Sequence, residues 1–115
     1  MSQQTMYPAS INTPVTNIVG GIDNIVTSIT VADGTTLPPA PNIVTLGFGA
    51  TAETILYTSL AGNVLSGITR GFQGVAQSWV SGTAIARYYT AYDHNAFINN
   101  INDMKNFAIA MAITL

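Results

Sequence analysis

The residues of this chain that could do chemistry are few and scattered. His94, the single histidine, stands beside Asp93, and "ITRGFQGVAQSW" (68–79) places Arg70 among Gly71 and Gly74 and ends on the single tryptophan, Trp79. A His–Asp pair becomes catalytic only with a nucleophile and an orienting carboxylate placed by the fold, and no recognisable nucleophile motif accompanies this one. A metal site needs several converging ligands; one histidine, five dispersed carboxylates and no cysteine offer no such set. The expectation is therefore no catalytic residue, no metal and no cofactor, with His94 in a local hydrogen-bonding or helix-end role.

A basic residue among glycines can cradle a phosphate when the glycines lead into a helix. Here Gly71 and Gly74 lead through "FQGVAQSWVSG" to another β-branched run near Thr83, so the stretch reads as a turn between strands. Two readings of its aromatics stay open. Phe72 and Trp79 either cover the end of a small β domain as a folded flap or form an exposed contact patch for a partner. Glu53 and Arg70 flank a hairpin centred on Gly62, which puts them opposite or nearly so, close enough for a cross-strand ion pair that pins register. Arg87 is the other candidate partner.

The elements that must position these residues are mostly short strands. "IVTSITVA" (25–32), "IVTLGF" (43–48), "AETILYTSL" (52–60), "VLSGITRG" (64–71) and "TAIARYYT" (83–90) are β-branched runs separated by turn residues. "DGTTLPPAPN" (33–42) is a turn and loop, since its three prolines cannot donate to a ladder. This predicts a mainly β fold, a small antiparallel barrel or sandwich of about five or six strands, spanning residues 22–91.

The two ends differ from this middle. Residues 1–21 open with "MSQQTMYPASINTPVTN", whose Pro8 and Pro14 in Ser/Thr/Asn-rich sequence read as an extended arm. Tyr7, Ile11 and Val15 fall at intervals of four and tilt the reading from a disordered leader to an arm docked on its own domain or a neighbour. Residues 92–115 contain neither Gly nor Pro, and "TAYD" (90–93) approximates a capping box with Asp in place of Glu or Gln. Phe97, Ile101, Met104, Ala108, Met111 and Leu115 recur at the 4-3-4-3-4 spacing of a coiled-coil seam. The helix thus packs on its own sheet, on sister helices, or on both, because Ile98, Phe107, Ile109 and Ile113 widen the stripe.

Composition narrows the function classes. Charged residues are 7% of the 115, the formal net charge is −2, and apolar residues make up 48%. Arg70, Arg87 and Lys105 do not cluster, which argues against a nucleic-acid partner. The longest apolar run, Phe107 to Ile113, falls far short of the roughly 20 residues that span a bilayer, so no membrane partner is expected, and "MSQQTMYPAS" lacks the features of a signal peptide, which points to synthesis in a cytoplasm. A surface so poor in charge has little repulsion to hold copies apart, which favours an assembly.

The order "SITVADGTTLPPAPNIVTLG", then "AETILYTSLAGNVLSGITRGFQGVAQSWVSGTAIARYYTAYDHNAFINNI", resembles a module at the start of tail-fibre and other appendage proteins of tailed bacteriophages. The likeness covers about residues 27–101 and departs from the family at "QGVAQSW", where a Gly-Thr is expected. It implies a small β domain, often trimeric, that mounts or decorates a virion, and it brings no catalytic residues. The expectation is a non-enzymatic virion structural protein made in the host cytoplasm, a homotrimer whose arm docks on other virion proteins and whose module attaches a fibre or appendage to tail or baseplate. A capsid decoration or head-fibre protein is one alternative, and a host-surface binding module using residues 72–79 is another.

Overall fold

A computed structural model describes residues 3–114. Its order of elements is β1 (Val15–Asn17), β2 (Ile29–Thr30), β3 (Asn42–Leu46), β4 (Glu53–Tyr57), β5 (Ser59–Ala61), β6 (Val64–Ser66), β7 (Thr69–Gln73), β8 (Ala84–Ala86) and α1 (Ala91–Thr114). The strands form two antiparallel sheets, one in the order β1-β8-β3-β4-β7 and the other β2-β6-β5. Neither closes into a barrel. Alternate residues of the strands, Val44 and Leu46, Ile55 and Tyr57, Ile85, Ile29 and Leu65, meet in one buried cluster with Ile18, Val31 and Ile68. The result is mainly β and sandwich-like.

The eight strands of the described residues exceed the five or six expected because two long runs are each broken and because β1 forms in the expected arm. β4 and β7 pair in the first sheet, while their continuations β5 and β6 pair in the second. The ribbon changes sheet at Thr58 and Gly67. There the Thr58 N–H donates to the Ser66 carbonyl at 3.1 Å, and its hydroxyl donates to the Gly67 carbonyl at 3.2 Å. Gly67 has φ +61°, and a Cβ on it would overlap the Thr58 hydroxyl, so the bend requires glycine at this position. Val15, expected in the arm, belongs to β1 and pairs with Ala86. Its segment is β-branched where it joins the sheet, and Pro14 precedes the strand, where its missing N–H costs no ladder bond.

Contacts divide the chain into two units. One is Pro8–Tyr88; the other combines the residues up to Tyr7 with those from Tyr89 onward. Within the first, the Pro8 carbonyl accepts from Asn42 Nδ2 at 2.9 Å and from Arg87 Nε at 3.0 Å. The buried Tyr57 hydroxyl donates to the Pro38 carbonyl at 2.6 Å. Burial pushes its pKa well above the ordinary tyrosine value, against the opposing charge of Arg87.

In the second unit, α1 starts with a reciprocal cap. The Thr90 N–H and hydroxyl donate to Asp93 Oδ2 at 2.8 and 3.0 Å, and the Asp93 N–H donates back to the Thr90 hydroxyl at 3.2 Å. Aspartate thus fills the role usually taken by Glu or Gln. No helix among the described residues is long and apolar enough to cross a membrane.

Candidate functional site

Glu53 opens β4 and its side chain is fully buried. Arg70 Nε and Nη2 grip its two oxygens at 2.8 and 2.9 Å, a bidentate fork. The Gly71 and Gln77 N–H groups donate to the same carboxylate at 2.9 and 3.2 Å, and Trp79 Nε1 donates at 3.0 Å. Arg70 also reaches the carbonyls of Asp23 at 2.6 Å, Val26 at 3.3 Å and Gln77 at 2.8 Å. One ion pair therefore ties three segments that are far apart in sequence.

Burial alone would raise the Glu53 pKa. The donors from Arg70, Trp79, Gly71 and Gln77 outweigh it, so the net shift is below the ordinary value. With both oxygens occupied by fixed donors, the carboxylate is held ionised and has little capacity left to take a proton from a substrate. It works as a knot. Arg87, the other candidate partner, is buried and donates instead to the Pro8 and Tyr88 carbonyls.

The knot also decides how the loop aromatics are used. Trp79 packs half-buried against the core and bridges to Ile22 through paired backbone hydrogen bonds of 2.9 Å. Its ring lies so close to Gly47 that a Cβ there would come within 2.7 Å of Cζ3 and 2.8 Å of Cη2. Phe72 is half-buried in β7. The exposed apolar residues of this loop are Val75 and Val80, and Val75 lines a shallow depression of about 340 Å³ with Ala50, Thr51, Ala52 and Gln77. Gly47→Ala is expected to cost about 1–3 kcal/mol through overpacking and an unfavourable φ of +76°. The accompanying loss of the Trp79–Glu53 bond would appear as a red shift in tryptophan emission and a lower denaturant midpoint.

The arm and α1 make the second arrangement. Gln4 N–H donates to Asn100 Oδ1 at 2.8 Å, and Asn100 Nδ2 returns a bond to the Gln4 carbonyl at 3.0 Å. Asn99 Nδ2 reaches the Gln4 side chain at 3.1 Å, and Gln3 Nε2 reaches the Asn100 carbonyl at 3.4 Å. The Tyr92 hydroxyl donates to the Thr5 carbonyl at 2.5 Å, and the Tyr7 and Tyr92 rings stand 6.0 Å apart. Residues 3–7 of the arm thus form a strap that runs antiparallel to the helix along the side carrying Tyr92 and Asn100. Of the three residues expected to dock the arm, Tyr7 lies on Tyr92, Ile11 is exposed and Val15 is in β1.

Phe97, Ile101, Met104, Ala108 and Met111 are all exposed in the single chain; Leu115 lies outside the described residues. His94 is exposed, with its ring edge-on to Tyr89 at 6.4 Å. No group of three or more metal-ligating side chains occurs among the described residues. Sequence reasoning missed the Trp79–Glu53 bond and the amide pairing of Gln4 with Asn99 and Asn100. The available signal was compositional: amides recur in both the arm and the helix. No protein-family model matches the chain, and no match was found among curated proteins.

Proposed function

We propose that this chain is a non-enzymatic, homo-oligomeric structural module of a tailed-bacteriophage virion, attaching a fibre or appendage to the tail or baseplate. The observation that carries the reading is the apolar stripe of α1, left open along a 24-residue helix. Its spacing is the one that lets identical helices bury each other's side chains. An uncovered stripe of this kind marks an association surface. The likeness of residues 27–101 to phage appendage modules supports the virion setting. In this reading the Glu53 knot keeps the β unit rigid, and α1 joins three copies.

Two measurements test it. Light scattering of the purified full chain is expected to give the mass of three copies, and the labelled chain is expected at the tail or baseplate of intact particles. A single-chain mass at high concentration would remove the oligomer. Label spread over the capsid would favour a decoration protein instead.

A further inference from the structure

We infer that Asn42 and Arg87 form a socket that locks the arm at Pro8, and that the hold of the strap on α1 depends on this lock, while the lock does not depend on the strap. Asn42 opens β3 and Arg87 follows β8; these strands are antiparallel neighbours, so the two side chains stand at the same end of the sheet. Both are buried, at 0% and 1% exposure. Their donors converge on one acceptor: Asn42 Nδ2 at 2.9 Å and Arg87 Nε at 3.0 Å share the Pro8 carbonyl oxygen. Groups this polar are costly to bury unless their hydrogen bonds are made, which ties the burial of the pair to an occupied socket. Arg87 Nη1 also donates to the Tyr88 carbonyl at 2.6 Å. Pro8 and Tyr88 are the residues at which the chain passes between its two units, so a single guanidinium holds both crossings.

The dependence runs one way because the two holds differ in kind. The strap is tied to α1 by exposed or part-buried bonds whose groups can turn to water; the buried donors of the socket have no such alternative. With Pro8 locked, Gln4 lies four residues from a fixed point. With Pro8 free, the nearest fixed point is Val15 in β1, eleven residues away. Effective concentration falls roughly as the −3/2 power of tether length, which makes the loss about fivefold. The turn between the two anchors adds to it. Asn12 and Thr13 have φ of +63° and +46°, a region that a β-branched residue rarely adopts. Once Pro8 is free, this turn relaxes towards extended backbone and carries the arm away from the geometry that seats the strap. A partner that captures the arm must therefore first empty the socket. All of this lies within one chain, independent of the self-association proposed above.

Hydrogen exchange in the full chain, read by NMR, tests both directions. Arg87→Met removes the guanidinium donors from the socket. It is expected to speed exchange of the Gln4 N–H, which donates to Asn100, about fivefold, while the ladder amides of β3 and β8 stay protected. Asn42→Ala leaves Arg87 in place and should move the Gln4 rate in the same direction by less. Tyr92→Phe with Asn100→Ala frees the strap from the helix side; the Gln4 rate should rise again, and the Arg87 Nε–H should keep its wild-type rate. An unchanged Gln4 rate in either socket variant whose β unit remains protected overturns the inference. So does an Arg87 Nε–H that accelerates together with Gln4 when the strap is freed. Loss of protection throughout β3 and β8 in both socket variants overturns it too, because the pair would then be part of the β core and not a lock on the arm.

Discussion

Glu53→Gln is expected to lower the stability of the protein by about 3–5 kcal/mol, the usual cost of breaking a buried ion pair from one side. The substitution keeps the shape and removes the charge. It also replaces one carboxylate oxygen with an NH₂ donor, which then faces either Arg70 Nε and the Gly71 N–H or Arg70 Nη2, the Gln77 N–H and Trp79 Nε1, so that two or three hydrogen bonds become donor–donor contacts. Arg70 is left with neutral acceptors only, the backbone carbonyls and the remaining amide oxygen, to balance its charge. Urea titration should show a lower midpoint at unchanged slope. A double substitution, Glu53→Leu with Arg70→Met, is expected to cost less than the sum of its parts, because neither charge is then stranded.

The same carboxylate gives the pH dependence its sign. Its folded pKa lies below the ordinary 4.5, so the unfolded chain binds the proton more readily. The stabilisation is fully present above about pH 4.5 and is lost as pH falls through the depressed folded value. The gap between wild type and Glu53→Gln should therefore narrow on acidification. A gap that stayed constant would mean that the charge of Glu53 contributes nothing.

Ile101→Asp combined with Met104→Asp is expected to reduce the proposed assembly to single chains without unfolding them. Ile101 is 45% and Met104 59% exposed in the isolated chain, and substitutions at such sites usually change stability by only about 0.5 kcal/mol. In the proposed assembly both positions lie in the seam. Each loses about 1.5–3 kcal/mol of apolar burial in every copy, and a carboxylate must then be desolvated beside its equivalents from the other copies. Light scattering reports the mass, and the denaturant midpoint of the dissociated chain reports its fold. Retention of the parental mass would show that α1 does not hold the copies together.

The two predictions draw on features with different legibility in the sequence. Glu53 and Arg70 stand out because charge is so scarce, and Thr90 and Asp93 announce a helix start by spacing alone. The hairpin through Gly62 suggested that Glu53 and Arg70 face each other, but register shifts between Thr54 and Leu56, so Thr54 lies across from Gln73 and Leu56 from Thr69. Arg70 therefore reaches Glu53 diagonally. Ile55 alone stands opposite Arg70, Gly71 and Phe72, an irregularity marked in the sequence only by Gly71, whose φ is +60°; one glycine in a chain with ten gives no sign that the ladder is offset there. The sheet change at Thr58 and Gly67 was hidden for a related reason: one polar residue and one glycine inside β-branched runs look like ordinary strand positions until the second sheet is known. The strap was illegible because Asn–Gln pairing has no period, unlike the apolar stripe.

The strap and the knot together bear on how the protein responds to ionic strength. Dissolved ions weaken attraction between exposed charges over a screening length of about 10 Å at 0.1 M. They have little to act on here. The strap is held by amides, hydroxyls and carbonyls, while the Glu53 side chain is closed off from water and that of Arg70 is only 7% exposed. Cohesion built in this way is nearly indifferent to salinity, from dilute fresh water to brine.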